Sequence, residues 1–231
     1  MTAPVFDLSF LQENPPTAHM STGEPRFRIR AGKVVRRDPK TITGIVIHQT
    51  ACVFGVTDLW RRRAARVHRA GITGFDPEDT AHHLRALRSS VAHIFAMNCG
   101  HIIQVCPLDW YDNSANGLNA TTVSLEVEGR FPGIMGRPRK GTMSGDLLFA
   151  AMNALNHIVE TGCGAGMPLQ YIYAHRQSNK NRRSDPGEEI WRRIVTGYAV
   201  QMLGLETLPG FTCTGGKAIP EEWDENGEGA F

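Results

Sequence analysis

No run in the sequence approaches the roughly 18 consecutive apolar residues that a membrane span requires. Its start, Met1-Thr2-Ala3-Pro4, lacks the basic and apolar regions of a secretory signal, so cytoplasmic synthesis without a signal peptide is expected. Cysteine is sparse. Cys52, Cys99, Cys106, Cys163 and Cys213 form an odd, scattered set without a C-x-x-C pair, which indicates neither a disulfide framework nor a cysteine zinc site. Reduced thiols are expected. There is no HExxH segment, internal repeat or low-complexity domain, which excludes helix-borne zincin sites and solenoids.

The 231 residues are 41% hydrophobic and 21% charged, ordinary for a globular chain and enough for one sizeable core. The net charge of +2 hides an uneven distribution. Arg26, Arg28, Arg30, Lys33, Arg36, Arg37 and Lys40 precede a second basic run of Arg61, Arg62, Arg63, Arg66 and Arg69. Glu221, Glu222, Asp224, Glu225 and Glu228 form an acidic tail. Solvated faces account for such runs, and a basic surface drawn to an anionic polymer is the functional alternative. No nucleic-acid reading motif or aromatic stacking pattern accompanies them, so nucleic acid is not expected as a partner.

Three units are expected: an N-terminal arm (1–39) with a short apolar anchor at Phe10-Leu11, a catalytic domain (40–205), and a loosely held acidic tail (206–231). Within the middle unit, Ile42 to Ile47 reads as a strand buried on both faces. Thr57-Asp58 caps a helix with Leu59, Trp60, Arg63, Val67 and Ala70 near one stripe, ended by Gly71. Asp76-Pro77-Glu78-Asp79 starts a second helix through Leu87. His93 to Met97 and His101 to Val105 read as a hairpin around Asn98-Cys99-Gly100. Ser144 caps a helix with Leu148, Met152, Leu155 and Val159 inward, and Pro186 begins another with Ile190, Ile194, Tyr198 and Met202 inward. The pattern predicts a single layered α/β domain, a central mixed sheet covered by amphipathic helices.

Three segments carry candidate chemistry. Val123-Ser124-Leu125-Glu126-Val127-Glu128 alternates strictly, sending Ser124, Glu126 and Glu128 to one face. Solvent exposure explains such a face unless something electrophilic lies above it. His175 ends the strand Tyr171 to Ala174 and is followed across a polar loop by Asp185, which by itself reads equally well as a helix N-cap before Pro186. His48 ends the buried strand Ile45-Val46-Ile47, where a rigid strand meets a loop. Together His48, His175 and Asp185 make an N, N, O set that leaves zinc one open position, the catalytic pattern.

The segments Ile45 to Ala51, His93 with Gly100 to Val105, Ser114 to Asn119 running into Val123 to Gly129, and His175 with Arg182-Arg183-Ser184-Asp185-Pro186-Gly187 resemble the zinc-dependent N-acetylmuramoyl-L-alanine amidases of the type 2 family. That family includes wall-recycling amidases, phage lysozyme-amidases and peptidoglycan recognition proteins. The resemblance covers about residues 40–205 and keeps the ten-residue His-to-Asp interval. It implies Zn2+ as cofactor, with His48, His175 and Asp185 as metal ligands, Glu126 as the catalytic glutamate, and Arg183 where the family usually holds a catalytic lysine. His93 matches a recurrent family histidine, either site-lining or structural. Ser114 stands where many members have a histidine before Ala115-Asn116-Gly117, which makes Ser114 and Asn116 candidate substrate contacts.

The resemblance implies a monomeric hydrolase that cuts the amide between N-acetylmuramic acid and L-alanine in peptidoglycan or muropeptides. The basic runs and the N-terminal arm favour an endolysin, reaching the wall after the membrane is opened, over a recycling enzyme. The alternative from another class is a module that recognises muropeptides without cutting them.

Overall fold

Ile42 to Ile47 anchors the architecture as expected, with the strand lying slightly later in the chain. In the computed structural model, which describes residues 5–7, 26–69, 77–89, 91–131 and 143–223, strand β4 (Gly44–Gln49) is buried along its whole length. Its neighbours are β7 (Thr122–Val127) and β8 (Tyr171–Ala174), both parallel to it. Strands enclosed on both sides carry apolar residues on both faces, which explains the density of β-branched residues in β4.

Four further strands complete the main sheet: β1 (Val5–Asp7), β5 (Ile94–Ala96), β6 (Ile102–Gln104) and β9 (Glu206–Thr207). The order is β1-β6-β5-β7-β4-β8-β9, with β5 and β6 antiparallel and the other neighbouring pairs parallel. A separate ribbon pairs β2 (Ile29–Arg30) with β3 (Lys33–Val34). The sheet is therefore mixed and covered by helices, as the alternating pattern predicts.

Register sorts the two faces. Ile45 pairs with Val123 and Ile47 with Leu125, and these side chains join Val127, Ile94 and Ile102 in the larger core. That face is covered by α3 (Gly145–Gly164) and by a π-helical segment (Trp191–Val200) set between α4 (Glu188–Ile190) and α5 (Gln201–Leu203). Phe95, Met97, Ile103 and Val105 point the other way, into a second core with α1 (Asp58–Arg69) and α2 (Pro77–Ser89). Beyond it on this face, Val46 and Tyr173 are covered by Ala115 and Leu118.

The buried stripes differ in detail from those expected. Ser144 is the N-cap of α3, its side chain accepting from Leu147 N, but the fully buried residues are Leu147, Ala150, Ala151, Ala154, Leu155 and Ile158. Leu148, Met152 and Val159 flank this seam, partly buried against the same core. Leu59 is exposed at 57% and Met202 at 68%. In the last helix Ile190 and Ile194 face inward as expected, joined by Trp191, Val195 and Ala199 with Tyr198 packed at the edge, and only Met202, beyond the wider π turn, falls out of phase.

Residues outside 40–205 join the same packing. Phe27 is buried, Arg36 and Arg37 pair with the segment at 109–110, and Trp223 is buried beneath the Arg176 guanidinium at 4.7 Å. The Phe10-Leu11 anchor, the helix end at Gly71, Asp76, and the acidic residues after Trp223 lie outside the described residues. Among the described residues no helix is long and apolar enough to cross a membrane.

Candidate active site

Parallel register assembles the site. His48 and Glu126 are paired positions on β4 and β7, so their side chains stand side by side on one face. Ala174 pairs with Ile47, which puts His175, the next residue of the chain, at the same carboxyl edge of the sheet. In parallel α/β sheets the carboxyl ends of strands are where ligands bind, because the loops there diverge.

The donor atoms converge. His48 Nδ1 lies 2.9 Å from His175 Nδ1, and His175 Nδ1 lies 2.9 Å from Asp185 Oδ2. Glu126 Oε1 is 3.9 Å from His48 Nδ1. His48, His175 and Asp185 are all buried, with ligand atoms within 4.8 Å of one another. The acidic residue Glu126 is thus enclosed at 7% exposure and is not part of a solvated face.

Asp185 does not cap a helix. The N-cap of α4 is Gly187, and Asp185 Oδ1 instead accepts a 2.9 Å hydrogen bond from Gln49 N. Gly187 makes that turn possible, because a Cβ there would fall 1.7 Å from Phe131 O. The loop between His175 and Asp185 is closed at its base by Arg176 N donating to Asp185 O at 2.7 Å. Arg176 Nη1 also donates to Arg183 O at 2.6 Å.

Burial pushes the His48 imidazole down to about 3, and His175 beside it acts in the same direction. The charge of Arg182 adds to that effect. A neutral imidazole keeps the lone pair a metal needs. For Asp185, burial by itself raises the carboxyl, but the hydrogen bond from His175, the neighbouring imidazoles and the Gln49 backbone amide together outweigh it and hold the group below the usual carboxylate range. Three donor atoms brought this close form a set that a bound cation would hold together. Two nitrogens and one carboxylate oxygen suit a borderline ion of the zinc type.

The other candidates fall in different places. Arg183 is exposed on the loop, with its backbone carbonyl held by Arg176. Asn116 is exposed, has φ 43°, and its Nδ2 donates to Ser178 O at 3.3 Å, joining the 116–118 turn to the loop after His175. Ser114 is half-buried two residues earlier. His93 is fully buried and engaged on both ring nitrogens: Nε2 lies 3.0 Å from Trp110 O, while Nδ1 lies 2.9 Å from Ser124 Oγ and 3.2 Å from Asp112 Oδ2.

Sequence reading missed the part played by Gln49. Besides its backbone bond to Asp185, its Nε2 donates to Ser184 O and its Oε1 accepts from Phe131 N at 2.6 Å. One residue therefore ties the ligand loop to the end of β7 and to β4. Its position directly after the strand-end histidine was the only sequence signal.

The sequence profile of the family described as N-acetylmuramoyl-L-alanine amidase matches residues 38–188. No curated protein matches the sequence. Among solved structures, the chain is similar to the endolysin N-acetylmuramoyl-L-alanine amidase LysCS from Clostridium intestinale URNW, at 10% identity and TM-score 0.47, covering 89% of this chain and 99% of that one. It is also similar to Drosophila peptidoglycan recognition protein SD, at 14% identity and TM-score 0.48, covering 81% and 90%. The profile match spans well over half of the sequence and includes His48, Glu126, His175 and Asp185, and on that ground the chain belongs to the type 2 N-acetylmuramoyl-L-alanine amidase family.

Proposed function

We propose that the protein is a zinc-dependent peptidoglycan amidase in which His48, His175 and Asp185 hold the ion and Glu126 is the general base. The observation that supports this most is the convergence of the three buried donors with the Glu126 carboxylate 3.9 Å from His48. Zinc in such a set supplies Lewis acidity towards a carbonyl and towards water, whose pKa it lowers from 15.7 to about 7.

The chain's own residues do the rest. Glu126 takes the proton of the attacking water as the new C–O bond forms, then returns it to the nitrogen of L-alanine as the C–N bond breaks. The products are a lactyl carboxylate on the sugar and a stem peptide with a free amino terminus. Arg183, whose planar guanidinium offers a fork of N–H donors, stabilises the charge that develops on the carbonyl oxygen. Gln49 and Arg176 hold the loop that carries Arg183 and Asp185. Asn116 and Ser114, on the segment tied to the loop after His175, contact the muropeptide.

The reading extends to a lytic, endolysin-type role. Arg26 and Arg37 of the expected basic run are buried, but the exposed Arg28, Arg30, Lys33, Lys40, Arg62, Arg66 and Arg69 support it, because a positive surface raises the local concentration of an anionic wall polymer. Purified protein is incubated with sacculi and with soluble muropeptide, with and without a chelator, and the products are analysed by mass spectrometry. Stem peptides with a free L-alanine amino terminus, lost on chelation, restored by zinc and released faster from sacculi, are the expected result. Faster cleavage of the soluble fragment replaces lysis by recycling. Binding without cleavage by zinc-loaded protein overturns the catalytic reading in favour of recognition alone.

A further inference from the structure

Elements that give no residue to the His48 site bring together a second group of metal-ligating side chains. Cys99 and His101 flank Gly100 in the turn between β5 and β6, and His83 projects from α2. Gly100 has φ 83°, a left-handed conformation that closes the turn through Gly100 N donating to Met97 O at 2.9 Å. The turn thereby places both side chains against one partner. His83 Nε2 lies 3.3 Å from His101 Nδ1 and 3.8 Å from Cys99 Sγ. All three ligand atoms lie within 4.8 Å of one another.

These separations fit a tetrahedral ion. Zinc takes nitrogen at about 2.0–2.1 Å and sulfur at about 2.3 Å, so tetrahedral ligands stand about 3.3 Å apart for two nitrogens and about 3.6 Å apart for nitrogen and sulfur. Phe6 of β1 lies against both rings, 5.8 Å from His83 and 5.0 Å from His101 between centroids, and fixes their planes. Cys99 is exposed, which leaves an approach for the ion and a position for water.

We propose that His83, Cys99 and His101 form a second site, for a divalent ion of the zinc class, that ties α2 to the β5–β6 turn. One thiolate and two imidazoles select zinc or cobalt over magnesium or calcium, which prefer all-oxygen sets. The Cys–x–His spacing was not informative in the sequence because the third donor lies on a separate helix.

The test uses the full chain, stripped by a chelator and titrated with Co2+. Two equivalents bind, and one of them brings a near-ultraviolet sulfur-to-cobalt charge-transfer band. The His48, His175 and Asp185 set contains no sulfur, so this band reports the second site whatever becomes of the amidase reading. Cys99→Ser and His101→Ala each remove the band and one equivalent, and retention of the other equivalent shows that the variant is folded. His48→Ala leaves the band in place. Absence of the band, its survival in Cys99→Ser, or its loss to excess Mg2+ overturns the proposal.

Discussion

Ser124 and Glu126 stand two residues apart on one face of β7, each beside a buried histidine, and their surroundings differ in what they leave over. Around Ser124 the polar groups close on one another. Its hydroxyl donates to Asp112 Oδ2 and stands beside His93 Nδ1, while Arg37 Nη2 donates to Leu108 O at 2.5 Å and lies 3.1 Å from His93 Nε2. Around Glu126 they converge on a point, with His48 and His175 presenting their Nδ1 atoms to each other and to Asp185. Glu128, two residues further, is closed again, since it accepts from Phe54 N at 2.7 Å and Asn98 N at 2.8 Å. A buried histidine is thus read by its partners: one engaged on both ring nitrogens is held in place within the fold, and ligand atoms that converge within a few ångströms offer a place for a cation.

The largest test of this contrast is His175→Ala. It is expected to remove the metal from the His48 site and to reduce stem-peptide release to the level of the chelated protein, checked by elemental analysis alongside the mass-spectrometric assay. Full activity in that variant dissolves the distinction between the two clusters. Next is Glu126→Gln, which keeps the metal and costs on the order of 10²–10⁴-fold in turnover, because only proton transfer is removed. Arg183→Ala is expected to lower kcat on the order of 10²–10³-fold, with metal content unchanged. The same change at Arg182, whose charge also bears on His48, identifies which arginine faces the reacting carbonyl; a larger loss at Arg182 transfers the role to it.

The smallest effect belongs to the closed network and appears in stability, not turnover. Burial by itself raises Asp112, but His93, Arg37 and the Ser124 hydroxyl outweigh it and hold the group at about 2, below the ordinary 3.8. A depressed folded value contributes stability that is present above the unfolded value and lost as pH falls through the folded one. The contribution is about 2 kcal/mol near neutral pH, fading between about pH 4 and pH 2. Denaturant unfolding over that range is expected to show a shallower acid dependence in Asp112→Asn. An unchanged slope removes Asp112 from the acid limb.

Much of this was legible locally. Strict alternation in Val123 to Glu128 fixed which side chains share a face, and the β-branched run ending in His48 marked a buried strand. The N-cap at Ser144 and the hairpin around Gly100 likewise follow from side-chain and backbone chemistry within a few residues. Strand order was not legible, since β4 lies between β7 and β8 through pairings between segments far apart in the chain, Gly44 with Thr122 and Gly44 with Tyr171. The π turn in the last helix was equally hidden, because a helical stripe drawn at 3.6 residues per turn does not anticipate a wider one.

By itself, then, the sequence determined the mixed α/β class, the faces of the strands and a short set of His, Asp and Glu residues able to do metal chemistry. Only the tertiary structure decided which of them meet. It turned Asp185 from a helix cap into a partner of His175 and Gln49, drew His93 into a closed network with Asp112, and set Cys99 against two histidines. The physical reason is that local propensity acts over a few residues, whereas a site is built by parallel register and loop closure between segments far apart in the chain.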